Sequence, residues 1–260
     1  MVKLAEIVFG ETIEVNRPRP VAIKKEPAQS VVRTKSRYIT IKNLPPISAD
    51  ILHQYKPIPA DAIKTFQLKI GTLPEWQYKC RHDRLIVPIV RPDGTIHHIR
   101  GRALADCKPD CPKWLASKGW TTADMPLPPG GIPVQTNDVV VMVENAIDAM
   151  MVTYHPEFVF ELIRYKLTTK VLHGLVNGGN IKGAAVLAST YWSDLWIPVL
   201  KPASQVVIVL DNDPAGIKAS VRLANKLNKN GILAVVHKWN NGKEKYDMGD
   251  YLKDCLQKGE

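Results

Sequence analysis

Two unbroken apolar runs, Val139–Val143 and Val206–Leu210, organise the second half of the chain. A run without polar alternation suits a strand buried on both faces, as inside a parallel sheet covered by helices. Around these runs the spacing predicts helices over Ala146–Tyr154, Glu157–Lys166 and Pro214–Asn228, the last stopped by Asn230-Gly231. Val171–Leu175 and Ile232–His237 read as further strands, and Ile181–Trp192 as a further helix. Strands alternating with helices predict an α/β fold with a mainly parallel sheet.

The first half is patterned differently. Ser48 is expected to cap a helix over Ala49–Tyr55, and Pro59-Ala60-Asp61 to open another that supplies Ile63, Phe66 and Leu68. Arg84–Val90, the turn Arg91–Gly94 and Thr95–Leu104 predict a β-hairpin carrying Arg84, Arg100 and Arg102. Residues 1–45 hold Pro18, Pro20, Pro27, Pro45 and Pro46 with little periodicity, so a flexible basic arm is expected, with a short strand near Arg37–Ile41. The breaker run Pro126–Gly131 ends an irregular stretch. The expected divisions are therefore 1–45 for the arm, 46–133 for a small basic α+β subdomain, and 134–260 for the α/β domain.

With 260 residues and 45% hydrophobic content, the chain has enough apolar matter for a sizeable core, which excludes wholesale disorder. No apolar run reaches the ~18 residues of a membrane span. The opening MVKLAEIVFGETIEVNRPRP lacks a signal peptide's pattern. A cytoplasmic protein without a membrane partner is expected. Its net charge of +10 is concentrated in two stretches. Val15–Lys42 has eight bases against Glu26, and Tyr78–Lys118 has nine against four aspartates. Such a balance points to a polyanion, most commonly nucleic acid, although a solvated surface accounts for charge alone equally well. Four cysteines form no disulfide framework at this length, so free thiols are expected. Cys107 and Cys111, with His97, His98, Cys80 or His82, make at most half a zinc site, and structural zinc is not expected.

The candidate chemistry lies where the apolar runs end. The first run leads into Glu144-Asn-Ala-Ile-Asp148, and the second into Asp211-Asn-Asp213-Pro-Ala-Gly216. In an open parallel sheet, ligands bind beyond the carboxyl ends of the strands, which places Glu144, Asp211 and Asp213 at the functional edge. Asp148 follows Glu144 by four residues and falls within the first turn of the next helix, facing the same edge. Crowded carboxylates repel one another unless cations neutralise them, and hard oxygen ligands suit Mg²⁺ or Mn²⁺. An Asp after a buried strand is often only a helix cap. Two acidic motifs following two apolar strands outweigh that reading.

These residues resemble the TOPRIM domain, a Rossmann-like fold shared by DnaG-type primases, phage primase–helicases, topoisomerases and some nucleases. Tyr246-Asp-Met-Gly-Asp250-Tyr-Leu252 is similar to the closing element of the primase versions. The resemblance thereby implies Glu144, Asp148, Asp211 and Asp213 as catalytic positions, with Glu144, Asp211 and Asp213 holding the metal and Asp247 and Asp250 as further metal-binding positions. The family has Gly after its glutamate, whereas this chain has Asn145, which tolerates left-handed backbone. Asn177-Gly-Gly-Asn180 stands as the candidate for the family's central glycine loop. Upstream, Arg84-Leu-Ile-Val-Pro-Ile, Ile99-Arg-Gly-Arg102-Ala-Leu104 and Pro112-Lys113-Trp114-Leu115-Ala-Ser117 are similar to DnaG-type core elements, in the family's order. Arg84, Arg102 and Lys113 match family positions that bind nucleic-acid backbone or nucleotide phosphates, while Arg100 replaces an uncharged one. Trp114, Trp120 and Tyr78 are aromatic neighbours that stack on bases or, more commonly, pack.

The resemblance implies a primase-like, metal-dependent nucleotidyltransferase acting on single-stranded DNA and NTPs. Two alternatives are a TOPRIM nuclease and a non-catalytic nucleic-acid-binding replication subunit. The family's zinc ribbon and helicase module are not visible, which implies a helicase or zinc-module partner in trans and a phage or mobile-element setting.

Overall fold

The structure is a computed structural model that describes residues 41, 43–55, 58–73, 76, 82–90, 96–104, 111–117, 133–186, 194 and 196–258. All of them belong to one compact unit, Ser36–Glu260. Residues 1–40 and 42 of the basic arm, the turn Arg91–Gly94, Tyr78, Trp120, Cys80 and Cys107 lie outside the described residues.

The described strands form two sheets. The first is an antiparallel meander in the order β1 (Lys69–Gly71), β2 (Arg84–Val90), β3 (Ile96–Ala103) and β4 (Trp114–Ala116). It is preceded by α1 (Ala49–Tyr55) and α2 (Ala60–Thr65), both at the expected places. The second sheet is wholly parallel. Its strands are β5 (Val139–Val143), β6 (Ile181–Ala185), β7 (Gln205–Ile208) and β8 (Ala234–Val236), in the order β6-β5-β7-β8.

Period-two alternation explains how this second sheet is covered. Val139, Val141, Val143 and Val207 face one core, shared with α3 (Ala146–Tyr154), α4 (Pro156–Ile163), α5 (Thr169–Val176) and α8 (Met248–Lys258). Val140, Met142, Val206 and Ile208 face the other, against α6 (Trp196–Leu200) and α7 (Pro214–Lys229). Helices on both faces are why β5 has no polar residue. The first core also takes in Leu52, Phe66, Leu85, Val87 and Ile89, so one hydrophobic layer joins the first sheet to the helical face of the second. At that join Phe66 meets Tyr154 edge-to-face at 5.6 Å, and the Tyr154 hydroxyl donates to Thr65 Oγ1 at 2.9 Å. The first sheet's opposite face has its own small core of Leu73, Trp76, Ile86, Ile99 and Leu115. A side chain at Gly101 would collide with the Trp76 ring, whose Nε1 donates to the Ala116 carbonyl at 2.9 Å.

The expected strand Val171–Leu175 is a helix, and the described part of the expected helix Ile181–Trp192 is a strand, residues 187–192 lying outside the described residues. Residues 169–176 form α5 because Thr168 Oγ1 caps the amide of Val171 and only one side of the segment is buried, Val176 being 85% exposed. Ile181–Ala185 forms β6 although Ala and Gly favour other states. Its small residues serve close packing: a Cβ at Gly183 would strike the Ala149 carbonyl of α3, and the Gly183 amide donates to Thr153 Oγ1 at 3.0 Å. The helix thereby covers what would be an open sheet edge. Lys182 lies in this buried strand because Asp138 pairs with it at 2.8 Å and the Pro133 carbonyl accepts from it at 2.7 Å.

The expectation of free thiols is corrected at Cys111, which is disulfide-bonded; Cys255 is a free thiol. No described helix is long and apolar enough to cross a membrane.

Candidate functional site

Parallel pairing of β5 with β7, in the register Val139↔Gln205 to Met142↔Ile208, sends the two acidic motifs out side by side. Glu144 leaves β5 at the start of α3, and Asp211 leaves β7 ahead of α7. Asp213 caps α7, its Oδ1 accepting from the Gly216 amide at 2.7 Å, and Pro214 occupies the first turn. Gly216 is required because a Cβ there would collide with the Asp211 carbonyl. Cap and charge are combined in one residue, so the two readings of Asp213 do not compete.

A third segment is tied to this edge by Asn212, a residue that motif reading passed over. Its amide donates to the Tyr246 carbonyl at 2.9 Å, its carbonyl accepts from the Lys245 amide at 3.1 Å, and its Nδ2 donates to the Lys243 carbonyl at 2.6 Å. Lys245 adopts a φ of 57° to make the turn. These bonds bring Asp247 to the cluster. Asp247 and Asp250 cap α8 reciprocally, Asp247 Oδ1 accepting from the Asp250 amide at 2.7 Å and Asp250 Oδ2 from the Asp247 amide at 3.4 Å. Asp250 is exposed and acts on Tyr246 rather than on Glu144 or Asp211. Of the two positions, Asp247 joins the cluster and Asp250 supports its cap.

The electrostatics show how tightly the carboxyls are drawn together. Asp211 is pushed up to about 8, first by burial and then by the charges of Glu144, Asp247, Asp148 and Asp213. Glu144 is also raised, by burial and then Asp213, while a hydrogen bond with Asp211, which lowers it, and the Lys113 ammonium oppose the rise. Burial and mutual repulsion thus disfavour ionisation of Asp211 and Glu144 together. Asp148, 1% exposed, receives a 2.6 Å hydrogen bond from Asn145 Nδ2. Asn145 has a φ of −125°, extended rather than left-handed, and caps α3 instead of replacing a flexible glycine.

The basic side is carried by the first sheet. Across β2, β3 and β4 the partners Leu85↔Arg102↔Trp114 and Val87↔Arg100↔Ala116 lie on one face, the face whose Leu85 and Val87 enter the shared core. Arg100 and Arg102 flank the Trp114 ring at 5.1 and 5.2 Å. Burial lowers Arg100. Lys113, next to Trp114, reaches Glu144 electrostatically. Arg84 has 0% exposure, and its Nη1 donates to the carbonyls of Gly101 at 3.3 Å and Pro112 at 2.9 Å, holding the segment that carries Lys113. Asn177–Asn180, expected as a glycine loop, precedes β6 and lies at the amino edge of the parallel sheet, away from Glu144. Misplacing α5 and β6 produced that expectation.

Residues 172–258 match the Toprim domain family. This part of the chain is thus similar to Toprim domains. The match spans Asp211, Asp213, Asp247 and Asp250, and Glu144 lies just after β5, upstream of it. The fold is similar to DnaG primase catalytic cores. The RNA polymerase domain of Mycobacterium tuberculosis primase DnaG aligns with TM-score 0.55 and 14% identity over 87% of this chain and 82% of that one. A DNA primase domain from Pseudomonas aeruginosa gives 0.54 and 14% over 85% and 75%. The E. coli primase catalytic core gives 0.52 and 15% over 80% and 69%. No curated protein matches the sequence.

Among the described residues, no three His, Cys, Asp or Glu side chains form a ready-made metal cage. Even so, these carboxyls fit a divalent cation by donor type and by mutual repulsion, because the crowding that raises Asp211 is charge that a hard cation would neutralise.

Proposed function

We propose that the chain is a primase-like nucleotidyltransferase that joins NTPs on a single-stranded DNA template. The observation that carries this reading is the acidic cluster at the carboxyl edge of the parallel sheet, facing Lys113 of the basic sheet. A nuclease needs the acidic half alone; a cation placed opposite it suits an incoming triphosphate.

In this mechanism a 3′-hydroxyl oxygen attacks the α-phosphorus of an incoming triphosphate. The new P–O bond forms as the α–β bridging bond breaks, and pyrophosphate leaves with the electron pair. Glu144, half-buried and beside Lys113, takes the hydroxyl proton. Asp211, Asp213 and Asp247 would hold Mg²⁺ or Mn²⁺, which supplies charge neutralisation at the transferring phosphate. Lys113 orients the triphosphate as a point charge, and Arg102 and Arg100 hold nucleic-acid backbone through planar guanidinium groups already ordered against Trp114. Arg84, with its guanidinium buried, orders the Pro112–Lys113 segment. Catalysis is then chiefly positioning and charge neutralisation. A helicase or zinc module acting in trans belongs to the same reading.

The test is template-dependent incorporation of labelled NTPs and dNTPs on single-stranded DNA with Mg²⁺ or Mn²⁺, using Asp211→Ala/Asp213→Ala as control. Short products absent from the control support the assignment. Cleavage of a labelled strand without incorporation would move the activity to the nuclease class.

A further inference from the structure

We propose that Asn145 is a positioning residue, whose side-chain amide fixes the Asp148 carboxylate at the acidic edge so that it strengthens the field acting on a bound cation. This inference rests on the cation-dependent reading above. Asn145 works in two directions. Its Oδ1 accepts from the Ile147 and Asp148 amides, both at 3.0 Å, which caps α3. Its Nδ2 donates to Asp148 Oδ2 at 2.6 Å. Asp148 is 1% exposed and is among the charges acting on Asp211.

The residue type follows from that double duty. Ser, Thr and Asp all cap helices. Ser and Thr do so through a shorter side chain, with no amide to extend toward Asp148. Asp would place another carboxylate against Asp148 beside Glu144. Asn alone caps the helix, donates to the buried carboxylate and adds no charge, leaving the cluster's negative potential for the cation. A group that orients a charge near a metal without touching the metal typically changes affinity by about 10–100-fold when removed.

The test uses the full chain as wild type, Asn145→Ser, Asp148→Asn and the double variant. Mn²⁺ alone is titrated by electron paramagnetic resonance, and denaturation midpoints are measured in EDTA. Asn145→Ser keeps the cap, so its melting midpoint should stay within about 2 °C of wild type. Its Mn²⁺ affinity should fall about tenfold, with Asp148→Asn similar and the double variant no weaker. The two affinity losses should therefore fail to add, because the residues share one contact. Wild-type affinity in Asn145→Ser, or affinity losses that simply add, overturns this inference alone. Failure of the wild-type protein to bind Mn²⁺ overturns the cation reading and this inference with it.

Discussion

Asp211→Asn separates the electrostatic account from every assumption about substrate. In the folded protein Asp211 holds its proton to about pH 8, against 3.8 for a free carboxyl. Between those values the native state binds more protons than the unfolded state, so stability contributed at this site is intact at low pH and is lost as pH rises toward 8. Each pH unit of that window is worth at most about 1.4 kcal/mol. Asp211 is partly exposed and solvent screens its neighbours, which reduces the whole effect to about 2 kcal/mol. Asn has nearly the shape of the protonated acid, still donates toward Glu144 and does not ionise. In EDTA at pH 9 the variant should melt about 4–8 °C above wild type. At pH 4.5 the two should nearly coincide. Thermal scans by circular dichroism at both values read the difference. An offset that does not change with pH would show that Asp211 is not held protonated by its neighbours, and the crowding argument would fail.

Other substitutions probe other parts of the account. Adding Mg²⁺ or Mn²⁺ at pH 9 to about 100 times the dissociation constant should stabilise wild type by about 2.7 kcal/mol, read as a melting shift that Asp211→Asn lacks. Asp138→Ala leaves Lys182 buried without its carboxylate and should cost about 3–5 kcal/mol in urea unfolding. Asp138→Asn with Lys182→Met should recover most of that loss. Gly183→Val drives side-chain atoms into the α3 backbone and should cost about 3 kcal/mol or prevent folding, measured the same way. Lys113→Gln should raise the KM for nucleoside triphosphate about tenfold in steady-state incorporation, with little change in the melting temperature, because Lys113 is exposed.

The parallel-sheet domain was legible wherever burial left a compositional mark. Val139–Val143 and Val206–Leu210 are apolar on both faces because helices cover both, and their acidic ends follow from the parallel register. The segment 169–185 was not legible. Its helix carries β-branched residues and its strand carries Ala and Gly, chosen for the backbone approach of α3 at Gly183. That approach is a tertiary demand with no local signal. Asp213 was singled out by motif spacing and Asp247 by the family resemblance, yet neither could show that each also caps a helix. Asn212 and Asn145 were missed or misread for the same reason: hydrogen bonds to a segment brought close only by the fold, and to a neighbouring turn, decide their roles. Arg84 matched a binding pattern, but pairing in the centre of the meander buries it.

Template-dependent nucleotide incorporation tests the central claim most directly. Purified protein, single-stranded DNA, labelled NTPs or dNTPs and Mg²⁺ or Mn²⁺ should yield short products that disappear in Asp211→Ala/Asp213→Ala. Products that persist in that variant would contradict the assignment of these carboxyls. Their absence from wild type, with helicase and zinc-module partners supplied, would contradict the nucleotidyltransferase reading itself.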